Sequence, residues 1–340
     1  MKKFSLTFLF LAFFLFFPPF VQSEERSVIV KPKEKRDLSV EAKKGLDPAL
    51  LNTKYHAIII GNNNYKYIKK LNTAIADANA VDKILREKFG FKTKLLIDAA
   101  RKEILDTIND FRKKLGRDDS LLIYYAGHGI FEKEADKGYW LPIDAQSDSP
   151  TEWIMADDIT SNIKRIISRH ILIVSDSCYS GALTRAVSGD LSKSGEEREE
   201  FIKKMIERPS RTLMASGGNE PVSDSGGGNH SVFASSFLKA LSEADKSLFT
   251  AEELFHGRVK EIVTGKSEQV PEYNKIKNSG DEGGDFVFRL ASLFPLNKGG
   301  LGVVESEIKP SAEISEELKN IQQEKERLKK EREELEQKKA

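Results

Sequence analysis

The chain has 340 residues, with 54 basic and 53 acidic side chains, 39% hydrophobic residues and one cysteine. A formal net charge of +1 gives no field that would gather nucleic acid, so we expect no nucleic-acid partner. One cysteine excludes an intramolecular disulfide and any zinc site that needs two thiolates. No metal site is predicted, and the length allows one or two domains of about 100 to 200 residues.

The N-terminus has the layout of a secretory signal. A basic start precedes an uncharged run, residues 4–20, which holds eight of the 20 phenylalanines. Pro18 and Pro19 would break a helix late in that run, which favours a cleaved signal at residues 1–23 over a retained membrane anchor at 4–20. We therefore expect an exported protein, periplasmic or extracellular.

A charged stretch without apolar periodicity, residues 24–50, is interpreted as a linker. The following domain, residues 51–291, alternates short apolar runs with amphipathic segments. The predicted strands are 55–61, 94–97, 121–125, 171–174 and 212–215, and the predicted helices are 74–89, 104–115, 159–167 and 232–241. This alternation predicts an α/β fold in which a mostly parallel sheet is covered on both faces. Ligands bind beyond the carboxyl ends of the strands in such sheets.

Three further segments stand apart from this alternation. Residues 185–210 are polar and long enough for a mobile surface insertion with one short helix. Residues 292–312 are rich in glycine and proline and are interpreted as a linker. Residues 313–340 carry leucines and isoleucines on a 4-3 spacing among many charges, which fits a weak coiled coil for self-association or for a partner helix. A solvated single helix fits the same pattern.

Two predicted strand ends carry residues suited to nucleophilic chemistry. The strand at 121–125 leads to His128 between two glycines, and the strand at 171–174 leads to Cys178, the single cysteine of the chain. Either residue alone is more typical of a structural role. Because adjacent parallel strands end at the same edge of a sheet, the pair predicts a thiol and its base at one site.

The motifs around these residues resemble those of metacaspases and bacterial caspase-like peptidases. The resemblance rests on Tyr124–Gly129 (YYAGHG) and Asp176–Gly181 (DSCYSG), and extends over about residues 54–290. His128 precedes Cys178 by 50 residues, as in caspases, although the Gln-Ala-Cys signature of caspases is absent. Tyr179 stands where metacaspases commonly have histidine. The resemblance implies a six-stranded, caspase-like three-layer sandwich whose last strand lies near residues 286–288.

The chemistry that follows is peptide hydrolysis by a dyad. Cys178 as thiolate would attack a peptide carbonyl, and His128 would accept the thiol proton and return it to the leaving amine. The backbone N–H groups of Gly129 and Cys178 are the expected oxyanion donors. No third side chain that would orient His128 is evident, and no cofactor is expected.

By resemblance, Asp77 and Asp176 correspond to the carboxylates of an acidic primary pocket, which would select an arginine or lysine in a peptide or protein substrate. Their alternative roles are a helix cap for Asp77 and backbone hydrogen bonds for Asp176. Self-cleavage at basic residues within 185–210 is a further hypothesis. Calcium activation occurs in part of this family, but no calcium loop is evident here.

Two other functions were weighed. A non-catalytic caspase-like scaffold, assembled through residues 313–340, would need neither His128 nor Cys178. A nucleotide-binding α/β domain fits the strand and helix order, but Gly61–Asn64 lacks the glycine spacing and lysine of a phosphate loop. The other four histidines, at 56, 170, 230 and 256, have no metal-ligand spacing and are interpreted as structural or exposed.

Overall fold

The computed structural model describes residues 53–177, 184–186, 196–217 and 228–293. Twelve strands are formed in these ranges: β1 Tyr55–Gly61, β2 Lys92–Ile97, β3 Ser120–Ala126, β4 Gly129–Glu132, β5 Lys137–Trp140, β6 Ile154–Met155, β7 His170–Asp176, β8 Thr184–Ala186, β9 Ser210–Ala215, β10 Leu248–Thr250, β11 Glu272–Ile276 and β12 Val287–Arg289. The helices are α1 Ala74–Phe89, α2 Arg101–Lys114, α3 Ala156–Lys164, α4 Glu196–Glu207, α5 Val232–Ser242, α6 Ala251–Leu254 and α7 Lys260–Lys266. A π-helical turn, Phe255–Val259, joins α6 to α7, and short 3-10 turns occupy Pro150–Glu152 and Ala291–Leu293.

The central sheet has the order β2-β1-β3-β7-β9-β11-β8. The first five strands are parallel, whereas β11 is antiparallel to β9 and the three-residue β8 is antiparallel to β11. Six strands therefore form the body of a mostly parallel sheet, as expected, with β8 added at one edge. All five predicted strands and all four predicted helices are present.

Apolar side chains on both faces of the sheet explain this layering. Side chains at alternate positions of the central strands, such as Ile59 and Tyr124, pack with residues of α1 and α5. Their neighbours along the strands, such as Ile58 and Ile123, pack with residues of α2 and α3. Because both faces are buried, the strands are continuously apolar and the helices are amphipathic. The predicted three-layer sandwich is confirmed.

The expectation that the last strand of the central sheet lies near residues 286–288 was wrong. A strand does form at β12, but it pairs antiparallel with β10 in a separate two-stranded sheet. The sixth strand of the central sheet is instead β11, a mixed sequence that the apolar pattern did not mark. A third, three-stranded antiparallel sheet, β4-β5-β6, was also not predicted.

The one short helix expected within residues 185–210 is present as α4, which spans twelve residues. Ile202 and Ile206 on this helix are buried. Arg198 forms an ion pair with Glu253 and donates to the carbonyl of Leu248. A helix anchored in this way is a poor site for self-cleavage, because proteases cut exposed, irregular backbone. Residues 187–195 lie outside the described ranges, so self-cleavage there stays a prediction.

Several predictions concern residues outside the described ranges: the signal at 1–23, the linker at 24–50, the helix at 313–340 and Cys178 itself. No helix among the described residues is long and apolar enough to cross a membrane.

Candidate active site

The predicted base stands where the sheet places ligands. β3 and β7 are parallel neighbours with Ala126 opposite Asp176, so the segments that follow them leave the sheet at the same edge. His128 comes two residues after Ala126. Ser177 is the last described residue of the other segment and precedes Cys178 directly in the sequence. The structure therefore describes His128 of the predicted dyad and the segment up to Ser177, the residue before Cys178.

The backbone of His128 is fixed on both sides. Its N–H donates to the hydroxyl of Tyr65 at 2.7 Å. Its carbonyl accepts from the N–H of Leu141 at 2.9 Å and from the hydroxyl of Tyr125 at 2.8 Å. Tyr65 and Tyr125 also both donate to the carbonyl of Leu141, and both tyrosines are buried. This network holds His128 in one backbone position.

Gly127 permits this network, and its replacement should disturb the base. A Cβ at this position would lie 2.7 Å from the Tyr65 hydroxyl and 2.8 Å from that of Tyr125. We expect Gly127→Ala to lower kcat/KM on the order of 10-fold, by displacing His128, and to lower the free energy of unfolding by about 1–3 kcal/mol. Peptide hydrolysis and urea unfolding measure the two effects.

The control for that variant is Gly265→Ala, in helix α7, where an added Cβ meets nothing within 4 Å. Alanine favours a helix over glycine by about 1 kcal/mol, so this variant should be at least as stable as the wild type and fully active. A Gly127→Ala protein with wild-type activity would show that the tyrosine network does not position the base.

The imidazole of His128 is oriented by a backbone carbonyl. Its Nε2 lies 2.7 Å from the carbonyl oxygen of Lys69. A carbonyl can only accept, so Nε2 carries the proton, and in the neutral ring Nδ1 is then the basic nitrogen. The ring also packs against Tyr65, with 4.7 Å between ring centroids. Sequence reasoning found no third side chain, and the orienting group is indeed part of the main chain.

The loop that supplies this carbonyl is itself anchored. Asp98 accepts hydrogen bonds from the N–H groups of Asn63 and Asn64, each at 2.9 Å. Asn63 in turn donates to the carbonyl of Asn72 and accepts from the N–H of Leu71. These bonds close the loop at both ends. Residues Gly61–Asn64 thus begin the segment whose Lys69 carbonyl orients the histidine.

A buried polar chain leads to the residue before Cys178. Trp140 Nε1 donates to Ser175 Oγ at 3.1 Å, and the Ser175 and Ser177 hydroxyls are 2.8 Å apart. The Trp140 indole also stacks on Tyr125, with ring centroids 4.3 Å apart. The β4-β5 hairpin is in this way tied to both strand ends.

The two predicted pocket carboxylates are brought together. Asp77 lies in the first turn of α1, and Asp176 ends β7; their exposed fractions are 1% and 4%. Gly61 allows α1 to approach β1 closely, since a Cβ there would lie 2.6 Å from the Ala74 carbonyl oxygen. Ser231 joins the pair, since its hydroxyl donates to Asp176 at 2.5 Å and its N–H to Asp77 at 3.4 Å.

Burial dominates the electrostatics of this cluster. It raises the pKa of Asp77, although hydrogen bonds from His230, Thr73 and Ser231 oppose the rise. Burial also raises the pKa of Tyr124 well above its usual value, and the charges of Asp176 and Asp77 add to that rise. The Tyr124 hydroxyl makes no hydrogen bond to any described residue. The Tyr124 phenol is therefore neutral at neutral pH.

His230 was missed as a site residue. Its Nδ1 lies 2.7 Å from a carboxylate oxygen of Asp77, and its side chain is 30% exposed. No local sequence signal marks this contact, because the two residues are 153 positions apart. His170, by contrast, is structural: it is held between Ser210 Oγ and the Ile206 carbonyl, and burial lowers its pKa to about 4.

Among the described residues, no group of three or more His, Cys, Asp or Glu side chains could hold a metal ion. Calcium dependence stays an untested implication of the resemblance.

Comparison with known proteins identifies the family. Residues 54–280, more than half of the chain, match the family model of the caspase domain, peptidase C14. The chain therefore belongs to the caspase-domain peptidase family.

Individual relatives match this chain at low sequence identity or over a small part of its length. The human mucosa-associated lymphoid tissue lymphoma translocation protein 1 is 32% identical over 89 residues, which are 26% of this chain and 10% of that protein. This chain thus matches about a tenth of the length of that curated relative. A crystal structure of a Geobacter sulfurreducens protein has a TM-score of 0.47 at 19% identity, covering 67% of this chain and 97% of that one. Caspase-1 from Spodoptera frugiperda has a TM-score of 0.47 at 14% identity, covering 66% and 87%.

Proposed function

We propose that this protein is a cysteine endopeptidase in which Cys178 is the nucleophile and His128 the base. The observation that carries the proposal is the orientation of His128. Its Nε2–H is held by the Lys69 carbonyl, so that Nδ1 is left as the basic nitrogen. A base in a defined tautomer, at the edge of the sheet where the segment bearing the single thiol also leaves it, is the arrangement that thiol activation needs.

The reaction runs in two stages. Nδ1 of His128 removes the proton of the Cys178 thiol, and the thiolate attacks the peptide carbonyl to give a tetrahedral oxyanion. The C–N bond breaks as the imidazolium gives that proton to the leaving amine, which leaves a thioester. Water, deprotonated by the same imidazole, then hydrolyses the thioester and restores the thiol. The Lys69 carbonyl stabilises the imidazolium by accepting the other N–H.

The amide of Gly129 is suited to bind the oxyanion. Leu141 donates to the His128 carbonyl, so His128 and Leu141 form a hydrogen-bonded pair of the antiparallel β4-β5 ladder. Hydrogen-bonded and non-hydrogen-bonded pairs alternate along an antiparallel ladder. Gly129, which lies opposite Trp140 and next to His128, therefore belongs to a non-hydrogen-bonded pair. Its N–H is directed away from β5. We propose that it acts together with the N–H of Cys178.

A basic residue is the proposed primary specificity. Asp77 on α1 and Asp176 at the end of β7 are two nearly inaccessible carboxylates, tied together by Ser231. A guanidinium or ammonium group entering between them would make charge-assisted hydrogen bonds. An aspartate side chain would instead meet like charge and lose its hydration without compensation.

One assay tests the proposed function. Short fluorogenic peptides ending in Arg, Lys or Asp are offered to the purified protein, before and after treatment with iodoacetamide. Because the chain has one cysteine, alkylation reports on Cys178 alone. We expect hydrolysis of the Arg and Lys peptides, and its loss on alkylation. Turnover that survives alkylation would contradict the assignment of Cys178 as the nucleophile. A preference for Asp peptides would contradict the assignment of Asp77 and Asp176 to a pocket for basic side chains.

The scaffold function is the alternative outcome of the same assay. Absence of hydrolysis of all three peptides by a folded protein would favour it. The binding segment would then be sought among residues 313–340, and export would be tested by fractionation of cells that produce the full chain.

A further inference from the structure

His230 stands at the solvent side of the acidic pocket. Its Nδ1 contacts Asp77 at 2.7 Å, and its ring is 30% exposed while Asp77 is 1% exposed. Of the described side chains that bond the Asp77 carboxylate, His230 is the one with substantial exposure. A ligand that approaches this carboxylate from solvent therefore meets an imidazole already bound to it.

The position of His230 is fixed by the next residue. Ser231 is the N-cap of α5: its hydroxyl accepts from the N–H of Ala234 at 2.8 Å and donates to Asp176 at 2.5 Å. Because Ser231 bonds both carboxylates and the helix terminus, it cannot move far without breaking three contacts. The imidazole of His230 has no such second anchor among the described contacts, so it can rotate away while Ser231 stays in place.

The contact resembles the one that a substrate would make. A buried carboxylate is costly to leave without a hydrogen-bond donor. In the absence of substrate His230 supplies one, and a guanidinium or ammonium group would supply another in the same place. Two donors compete for one carboxylate oxygen.

We propose that His230 is a specificity-determining residue of the acidic pocket, whose imidazole occupies the Asp77 carboxylate until the basic side chain of a substrate displaces it. This inference rests on the proposed function, because it takes the Asp77–Asp176 cluster to be the site of the basic side chain. It assigns His230 a role in substrate binding and none in the bond-breaking steps.

The competition predicts the effect of removing the imidazole. The groups that face His230 are Asp77 from α1 and, through Ser231, Asp176 from β7. Without the His230 side chain, a basic group of the substrate has no donor to displace from the Asp77 carboxylate. His230→Ala should therefore strengthen the binding of basic peptides.

The test separates binding from chemistry by using the Cys178→Ala full-length chain, which cannot turn over. The probe is a fluorescein-labelled peptide ending in Arg, and its Kd is measured by anisotropy at pH 8. In this background His230→Ala removes the donor to Asp77, and His230→Asn keeps a shorter, neutral one. We expect Kd to fall at least about threefold in His230→Ala and by less in His230→Asn.

A matched control is His56→Asn. His56 lies 3.9 Å from Asp119 at the opposite end of β1, so it is also a histidine beside a carboxylate, but far from the pocket. Its variant should bind the Arg peptide with the same Kd as the parent. In the otherwise wild-type enzyme, His230→Ala should lower KM for the Arg peptide.

Failure of this inference differs from failure of the proposed function. Tight binding by the parent, with the same or a higher Kd for His230→Ala, would overturn the role of His230 and leave the peptidase in place. No binding of the Arg peptide, together with no hydrolysis by the wild type, would overturn both.

Discussion

Alanine at either Cys178 or His128 is expected to lower kcat/KM for Arg peptides by at least about 10³-fold. The thiol is a weak nucleophile at neutral pH without its base, and the base has nothing to activate without the thiol. Since the two groups act in one step, their losses should not add. The double variant should be no slower than Cys178→Ala alone within about threefold.

The measurement is single-turnover hydrolysis, with thermal unfolding of each variant in parallel. His128 is partly exposed, and its side chain contacts the Lys69 carbonyl and the Tyr65 ring, so its removal should cost little stability. His56→Ala is the control, because it removes a histidine from the same sheet at the opposite end of β1. A His128→Ala enzyme with more than a tenth of wild-type activity would mean that another group is the base.

The sequence predicts those elements of the fold whose burial leaves a recognisable pattern of apolar residues. β1, β3 and β7 are buried on both faces and are continuous apolar runs, so their positions are legible. The β4-β5-β6 sheet consists of strands of two to four residues, too short to show a period. The strand at β12 was implied by the family resemblance, and nothing in its sequence reveals that it pairs with β10.

The residues of the site also divide into those that a local sequence signal marks and those that it does not. His128 follows an apolar strand between two glycines, which is a local signal that sequence reasoning can use. The Lys69 carbonyl leaves no such signal, because a main-chain group has no side-chain signature. His230 is far from Asp77 in sequence, and only the packing of α5 beside α1 joins them. Contacts that depend on which helices are neighbours follow from tertiary structure alone.

Asparagine at Asp77 or Asp176 is expected to lower kcat/KM for Arg peptides by about 10- to 100-fold each, and the double variant by about 10³-fold. Each substitution keeps the size of the side chain but removes a charge-assisted hydrogen bond worth about 1.5–3 kcal/mol. Loss of the charges should leave hydrolysis of an Asp peptide unchanged or raised. The discrimination between the two peptides therefore falls with each carboxylate removed.

Stability distinguishes this effect from a folding defect. Burial raises the pKa of Asp77 in the folded protein, so ionisation of this carboxyl opposes folding at neutral pH. Asn, which has no charge to bury, should leave the free energy of unfolding at pH 7.5 the same or slightly higher. As pH falls and the native Asp77 takes up its proton, the difference in stability between Asp77→Asn and the wild type should shrink.

Asp82→Asn is the matched control. Asp82 is a buried carboxylate on the same helix, five residues after Asp77, and it pairs with Arg86 one turn later. Its removal should leave the ratio of Arg to Asp hydrolysis unaltered. If Asp82→Asn and Asp77→Asn lower Arg hydrolysis equally, net charge is responsible and the pocket assignment is wrong. If only the Asp77 and Asp176 variants do so, the two carboxylates define the preference for a basic residue.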